Sequence, residues 1–269
     1  HTVVLSGQGA DEPLGGYPRH MAVRLRHLGR LAPRASAWVA EHLLGAGAGK
    51  RLRRVLRSGT RIDRYLDVFT VVEPDIVDTL VPGGASAREL GRDAIMRWVA
   101  ETGSGDDLND LLRVDARLSL ADDLLLIADH FSMRASVELR VPFLDLQLLE
   151  LVERMPSRYK VSRLGERKWL YRQAAAQYLP PELARKLCGL GARLGRKAGF
   201  STPLERWFGG SGGPLGTSQR WLEPLVARGL VAPAVLSAFA TAAERSGGVW
   251  QRELLALYSL SQWVEASAA

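Results

Sequence analysis

The chain has 269 residues, 46% of them hydrophobic and 24% charged, so it can build one large domain or two small ones with the make-up of a soluble globular protein. No apolar run reaches the ~18 residues of a membrane helix, no secretory leader is expected ahead of an opening strand, and the single cysteine, Cys188, excludes an internal disulfide and fits a reducing cytoplasm. The net charge of +7 raises a nucleic-acid role, but it comes from 31 Arg against 5 Lys, and the densest cluster (Arg51, Arg53, Arg54, Arg57, Arg61 and Arg64) spreads around a helix without interleaved aromatics. That pattern reads as a solvated helix face or a contact with a partner domain, with no nucleic acid and no membrane as partners.

Thr2–Leu5 is an unalternating run of apolar and β-branched residues and predicts a short buried strand. Ser6-Gly7-Gln8-Gly9 follows as a tight turn, in which glycines let backbone N–H groups approach a ligand. Asp11 and Glu12 come next. Strand, glycine turn and acid pair is how an open α/β sheet presents a nucleotide and its metal; the plain alternative is a turn and a helix cap.

From Tyr17 onward the pattern is helical, with segments at 17–31, 33–45, 50–58 and 60–70, the last carrying Ile62, Tyr65, Leu66 and Phe69 on one face. Pro74 begins a short helix to Leu80. Ser86 and Glu89 form a capping box ahead of the stripe Leu90, Ala94 and Trp98. A helix over 107–118 carries Leu108, Leu111, Leu112 and Val114. The segment 120–134 is almost continuously apolar and predicts a buried central helix, with Asp129 buried in an internal ion pair or loop cap. Arg140–Asp145 reads as a loop held extended by Pro142, with Asp145 capping a helix over 146–155. A helix over 166–178 carries Lys168, Trp169 and Arg172. Gly189–Gly199 and Ser211–Gly216 read as loops, a helix begins at Pro203, and two closing helices fall at 232–245 and 249–265. A lone apolar strand needs neighbours, so the chain is expected to be the carboxyl-terminal part of a larger protein. The histidines His1, His20, His27, His42 and His130 have no metal-ligand spacing, and no zinc site is expected.

The motif Ser6-Gly-Gln-Gly-Ala-Asp-Glu-x-x-Gly-Gly-Tyr17 closely resembles the Ser-Gly-Glu-Gly-Ala/Ser-Asp-Glu-x-x-Gly-Gly-Tyr segment of the asparagine synthetase family. Further blocks match in the same order. Asp122–Met133 is similar to the family's Asp-x-Leu-Leu-x-x-x-Asp-Arg-x-Ser-Met helix. Val137-Glu-Leu-Arg-Val-Pro-Phe-Leu-Asp145 is similar to its Leu-Glu-Ala-Arg-Val-Pro-Phe-Leu-Asp block. Gly165-Glu-Arg-Lys168-Trp-Leu-Tyr-Arg172 resembles Gly-Lys-Trp-Leu-Leu-Arg, and Leu179–Glu182, Lys197–Pro203 and Glu205–Trp207 resemble the run that follows. Together they cover residues 1 to about 210.

The resemblance implies an α/β fold, a partial ATP-pyrophosphatase (adenine nucleotide alpha hydrolase-like) sheet, mostly α-helical here with one N-terminal strand. Residues 1–269 would be the carboxyl-terminal part of the synthetase domain, without its Ser-Gly-Gly-x-Asp-Ser phosphate loop and without the glutaminase domain. The implied chemistry uses ATP and Mg²⁺ to turn aspartate or another carboxylate into an acyl-adenylate, which ammonia from the glutaminase domain converts to the amide. The implied cofactor-binding residues are Ser6, Gly7 and Gly9, beside the adenylate. Asp11 would hold Mg²⁺, and Lys168 would stabilise charge on phosphate. Arg140 would pair with phosphate or a carboxylate, or structurally with Glu138 or Asp145.

Three departures stand out. Gln8 replaces a Glu, and an amide cannot act as a base near neutral pH. His130 replaces an Arg, with Arg134 one turn on. The stretch Lys186–Arg196 looks longer than the family's link. Two alternatives follow: a specialised relative forming a lactam or peptide ring, and a non-catalytic helical interaction module.

Overall fold

The computed structural model describes residues 2–31, 59–70, 77, 84–188, 219–234 and 251–267. The chain divides into two compact units, one of residues 1–68 and 92–197, the other of residues 69–91 and 198–269. The predicted helices at 33–45 and 50–58, the one from Pro203, and most of 74–80 and 232–245 lie outside the described residues, as do Arg51, Arg53, Arg54 and Arg57.

In the first unit, β1 (Val3–Leu5) pairs in parallel with β2 (Glu138–Arg140), in the register Val3 opposite Glu138, Val4 opposite Leu139 and Leu5 opposite Arg140. The second strand corrects the expectation of a single strand and of a plain loop before Asp145. Glu-Leu-Arg carries no β-branched residue, so its strand state comes from the ladder with β1 and not from local preference. The helices are α1 (Pro18–Leu31), α2 (Arg61–Phe69), α3 (Gly84–Thr102, shared by the two units), α4 (Asp107–Asp115), α5 (Leu126–Arg134), α6 (Leu146–Arg154), α7 (Ser157–Lys160), α8 (Trp169–Ala176) and α9 (Pro181–Cys188). A π-helical stretch, Ala116–Leu125, joins α4 to α5, where a plain α-helix to residue 118 was predicted. Helix α3 starts at Gly84, so Ser86 lies inside its first turn and does not precede it as a cap.

Helix α4 is the centre of this unit. Leu108, Leu111, Leu112 and Val114 are all buried, as the apolar spacing predicts. Of its acids Asp110 and Asp115 are buried and Asp107 is half-buried, and arginines meet all three. Arg61 Nη1 lies 2.6 Å from Asp110 Oδ2, and Ser104 donates its backbone N–H and its hydroxyl to Asp110 Oδ1 at 2.7 and 2.8 Å. Arg64 and Arg26 reach Asp107, and the Tyr65 hydroxyl donates to the Asp107 carbonyl at 2.6 Å. Arg61 and Arg64 therefore stitch α2 to α4 and are not a purely solvated face. Buried carboxylates persist only where such partners replace water. At the other end Asp145 caps α6 as predicted, accepting from the backbone N–H of Gln147 and Leu148 at 3.0 and 3.1 Å.

Two expectations of burial fail. Val3, Val4 and Leu5 are exposed, Leu5 by 75%. So is α5, with Leu126 62% and Phe131 69% exposed, and Asp129 is exposed with it. A continuous apolar run states that a segment needs cover, and among the described residues β1 is covered by β2 on one edge only.

The second unit is simpler. Helix α11 (Gln251–Ala266) presents Leu254, Leu257, Ser261 and Val264 on one face, at helical spacing. A 3₁₀ turn (Gln219–Leu222) and α10 (Glu223–Ala227) bring Leu222 and Leu225 onto it, with Val231 from the chain that follows. Trp221 packs edge-on to Tyr258 with ring centres 5.6 Å apart, and the Ser261 hydroxyl donates to the Trp221 carbonyl.

Removing the Asp110 carboxylate strands Arg61 and two Ser104 donors, whereas removing the Asp145 cap exposes N–H groups that water can reach. Asp110→Ala is expected to lower the unfolding free energy by about 3 kcal/mol and Asp145→Ala by about 1 kcal/mol. Urea denaturation of the two variants checks this; equal losses would deny α4 its central place.

Candidate active site

The candidate site forms where the chain leaves β1. Ser6 donates its N–H to the Arg140 carbonyl at 2.8 Å, the last link to β2, and its hydroxyl accepts the N–H of Gln8 at 3.2 Å. The turn therefore folds on itself beyond the strand end. Among the described residues nothing lies within 4 Å of where a Gly7 Cβ would stand, which leaves its backbone uncrowded. Gly9 has φ +78°, and a Cβ there would overlap the Leu144 side chain, lying 2.7 Å from its Cγ. The Ser-Gly-Gln-Gly turn is thus seated on the Val-Pro-Phe-Leu-Asp block, two motifs far apart in sequence. Gln8 Oε1 is buried and has no hydrogen-bond partner among the described residues.

Past the turn, Asp11 meets Lys168. Lys168 Nζ lies 2.9 Å from Asp11 Oδ1, with both side chains less than a fifth exposed. The approach depends on Gly16, where a Cβ would collide with the Asp11 carboxylate and lie 2.5 Å from Lys168 Cε. The Gly16 N–H returns to the Asp11 carbonyl at 2.7 Å and closes the loop.

Lys168 stands just before α8 and not within it, with a left-handed backbone (φ 51°, ψ 39°). For a residue with a side chain that conformation costs roughly 1–2 kcal/mol. The loop ahead of it supplies the constraint. Val161 bridges Arg167 in an antiparallel pair, and Ser162 Oγ accepts the N–H groups of Leu164 and Glu166 at 3.2 and 3.1 Å while donating to Glu166 Oε2 at 3.1 Å. The Lys168 carbonyl then accepts from Arg172 N–H at 2.9 Å and starts the helix.

Further cations lie beside the pair of Asp11 and Lys168. Arg167, half-buried, donates to the Gly16 carbonyl at 3.2 Å. Burial first, and then the neighbouring Arg172, push its pKa down, while Asp11 pulls it up. Lys168 thus meets Asp11 directly, Arg167 feels its charge, and Arg172 lies next to Arg167, and neighbouring cations of this kind suit a polyanion such as a phosphate chain. Arg140, by contrast, extends from β2 into solvent and pairs with Glu138 at 2.8 Å, the structural alternative read from the sequence.

Several partners here were not anticipated. Glu12 is buried and accepts the Tyr17 hydroxyl at 2.5 Å; burial first, and then this contact, raise the tyrosine pKa. The Tyr17 N–H donates to His20 Nδ1 at 3.3 Å, and His20 Nε2 lies 2.7 Å from Asp115 Oδ2. Arg19 grips the same carboxylate at 2.6 to 2.9 Å. His20 and Asp115 stand 95 residues apart, and no local pattern pairs them. The only sequence signal was an acid closing an otherwise apolar helix face. Among the described residues no group of three or more His, Cys, Asp or Glu side chains is placed to hold a metal ion.

A sequence model of the family described as "Asparagine synthase" matches residues 1–265. The chain belongs to the asparagine synthase family. It is 29% identical over 210 residues to "Asparagine synthetase (glutamine-hydrolyzing) 1" of Bacillus subtilis (strain 168), a match that covers 77% of this chain and 32% of that protein. It is also 29% identical over 224 residues to the protein named "Putative asparagine synthetase (glutamine-hydrolyzing)" in Mycobacterium bovis and in Mycobacterium tuberculosis, covering 77% of this chain and 30% of each relative. The chain therefore spans about a third of the length of these relatives. No solved structure matches it.

The buried pair fixes a pH dependence. Burial holds the His20 pKa below its ordinary value of 6.5, and an Nδ1 that accepts an N–H leaves no room for a second ring proton. Burial opposes ionisation of Asp115, but His20 and Arg19 outweigh it and hold its pKa below 3.8. The unfolded chain then binds a proton at His20 that the folded chain does not, so stability falls as pH drops below about 6.5. The Asp115 contribution is present above 3.8 and is lost only as pH falls through its lower folded value. His20→Gln is expected to flatten the loss between pH 6.5 and 5 by up to about 1.4 kcal/mol per pH unit. Urea denaturation at pH 7 and pH 5 reads the difference, and an unaltered slope would show that His20 is not held neutral.

Proposed function

We propose that the chain is the carboxyl-terminal part of the synthetase domain of an ATP-dependent, AMP-forming amide ligase, which joins ammonia released from glutamine to aspartate. The pairing of Lys168 with Asp11, with Arg167 beside them, at the end of a parallel strand and past a glycine turn, carries the reading. A carboxylate is a poor electrophile. Its oxygen attacks the α-phosphorus of ATP, the bond to pyrophosphate breaks, and an acyl-adenylate forms. Ammonia then attacks the acyl carbon, AMP leaves, and the nitrogen gives up its extra proton. Both steps move negative charge onto phosphate oxygens, where fixed cations act most strongly.

Each residue follows from that demand. Lys168 and Arg167 face the developing charge on the departing phosphates. Ser6, Gly7 and Gly9 carry the backbone past the nucleotide, and Gly7 has the open space for close approach. Mg²⁺ binds through one or two carboxylates together with substrate phosphates. Asp11 fits that mode, one oxygen being engaged by Lys168 and phosphates completing the shell; the ion would neutralise charge on the pyrophosphate. Arg140 would join the site only by leaving Glu138.

The partner is the rest of the polypeptide, which accounts for about two thirds of the relatives' length. It would supply the phosphate loop and the glutaminase and would cover the exposed faces of β1 and α5. We place the protein in the cytoplasm, in keeping with its free Cys188; no described helix is long and apolar enough to cross a membrane.

Gln8 favours a second reading. Its side-chain oxygen is buried without a partner among the described residues, where a carboxylate base would serve asparagine formation, so another carboxylate would be the acceptor, in a lactam- or peptide-ring-forming relative. Pyrophosphate release by the full-length protein with ATP, Mg²⁺ and aspartate tests the assignment. Release with a different carboxylate but not with aspartate moves the enzyme to that relative, and release with none returns the chain to an interaction module. Lys168→Ala is expected to lower turnover at least ~100-fold; unchanged turnover would remove Lys168 from the site.

A further inference from the structure

A layer of buried polar groups lies behind Asp11 and Lys168, and none of the roles above uses it. It begins at Asp115, fully buried at the end of α4 and gripped by Arg19. The same carboxylate meets His20 Nε2 at 2.7 Å. His20 Nδ1 accepts the Tyr17 N–H, so the ring hydrogen must sit on Nε2 and point at Asp115, which leaves one tautomer and one ring orientation. The Tyr17 ring is clamped on two sides, edge-on to His20 and beneath the Arg19 guanidinium 4.0 Å from its centre. Its hydroxyl is thereby aimed at Glu12 Oε1, at 2.5 Å. Glu12 is 1% exposed, and Oε2 has no partner among the described residues, where the tyrosine hydroxyl is the donor that meets this carboxylate.

Glu12 is bonded directly to Asp11, and the loop that joins Glu12 to Tyr17 closes through the Gly16 N–H on the Asp11 carbonyl. The direction of the Asp11 side chain is therefore set from behind. We propose that Tyr17 and His20 are positioning residues for the Lys168 ammonium: Asp115, His20, Tyr17 and Glu12 form one chain of contacts that holds the 11–17 loop so that the Asp11 carboxylate receives Lys168 Nζ. A buried carboxylate that loses its donor must move or find another. Asp11 would move with it, and Lys168, already in a left-handed backbone, would lose the contact for which that backbone is held. Only the kinetic consequence rests on the ligase reading.

The test uses the full-length protein and Tyr17→Phe, which removes a single oxygen and keeps the ring. Two quantities are read. One is the rate at which the Lys168 amine reacts with trace acetic anhydride, followed by peptide mass spectrometry, with Lys160, buried on α7, as internal reference. The other is kcat and KM for ATP in pyrophosphate release. Lys168 is expected to react ~5-fold faster with Lys160 unchanged, and kcat to fall ~10-fold with KM for ATP within about 2-fold. His20→Gln keeps a donor for Asp115 but removes the acceptor for the Tyr17 N–H, and is expected to act in the same direction; it decides the matter alone if Tyr17→Phe does not fold. Unchanged Lys168 reactivity overturns the proposal, as does equal acceleration at Lys160, which would mean general loosening. If the unsubstituted protein releases no pyrophosphate, the ligase reading fails while the labelling still decides the positioning role.

Discussion

A carboxylate without water must be given back what water supplied, and Asp115 is the place where this chain meets that demand most fully. Arg19 and His20, consecutive on the first turn of α1, surround it with donors. One contact set therefore does two things. It seats α1 on α4, and it fixes the ring of His20, through which the Tyr17 backbone and the loop before it are placed. Asp107 and Asp110 repeat the arrangement on other sides of α4, with Arg26, Arg64 and Arg61 as partners. The scaffold behind the candidate site is thus held by arginine–aspartate pairs as much as by its leucines, and it is most vulnerable where a single partner is lost.

The distribution of charge separates scaffold from site. Around α4, acids and arginines are matched. Beside Asp11 three cations stand in succession, Lys168 in contact with it, Arg167 within its field and Arg172 next to Arg167. Such a group can receive an anion, and it lies at the end of a parallel strand, where open α/β sheets receive ligands. The left-handed backbone of Lys168 belongs to the same picture: local conformational cost is accepted where a side chain must reach one particular place.

The apolar surface has a different meaning. β1 and α5 carry the sequence of buried elements and stand exposed. The chain spans about a third of the length of its asparagine synthase relatives, and under the proposed function the rest of such a polypeptide would cover these faces. Among the described residues the sheet is a parallel pair of three-residue strands, and a pair of that size needs further cover to be stable in water.

What was legible in the residues was local or repeated in a known order. Apolar spacing placed α1, α2, the core of α4 and α11; Asp145 announced its own cap; the ordered motifs announced the family and singled out Lys168 and Asp11, whose pairing only the fold displays. Those features depend on neighbours a few residues away, or on patterns that family members share. The second strand was missed because Glu138–Arg140 is a strand only through its partner. The burial of α5 was overestimated because a hydrophobic run records a need for cover and not its supply. Tyr17, His20 and Asp115 went unread because their geometry spans 95 residues and is built from ordinary helix positions. The sequence by itself determined α1, α2, the core of α4, α6 and α11, the turn after β1 and the family, since these follow from short-range periodicity and motif order. Tertiary structure alone decided which charges face one another, because pairing energy depends on distance in space and on the water removed from between the partners.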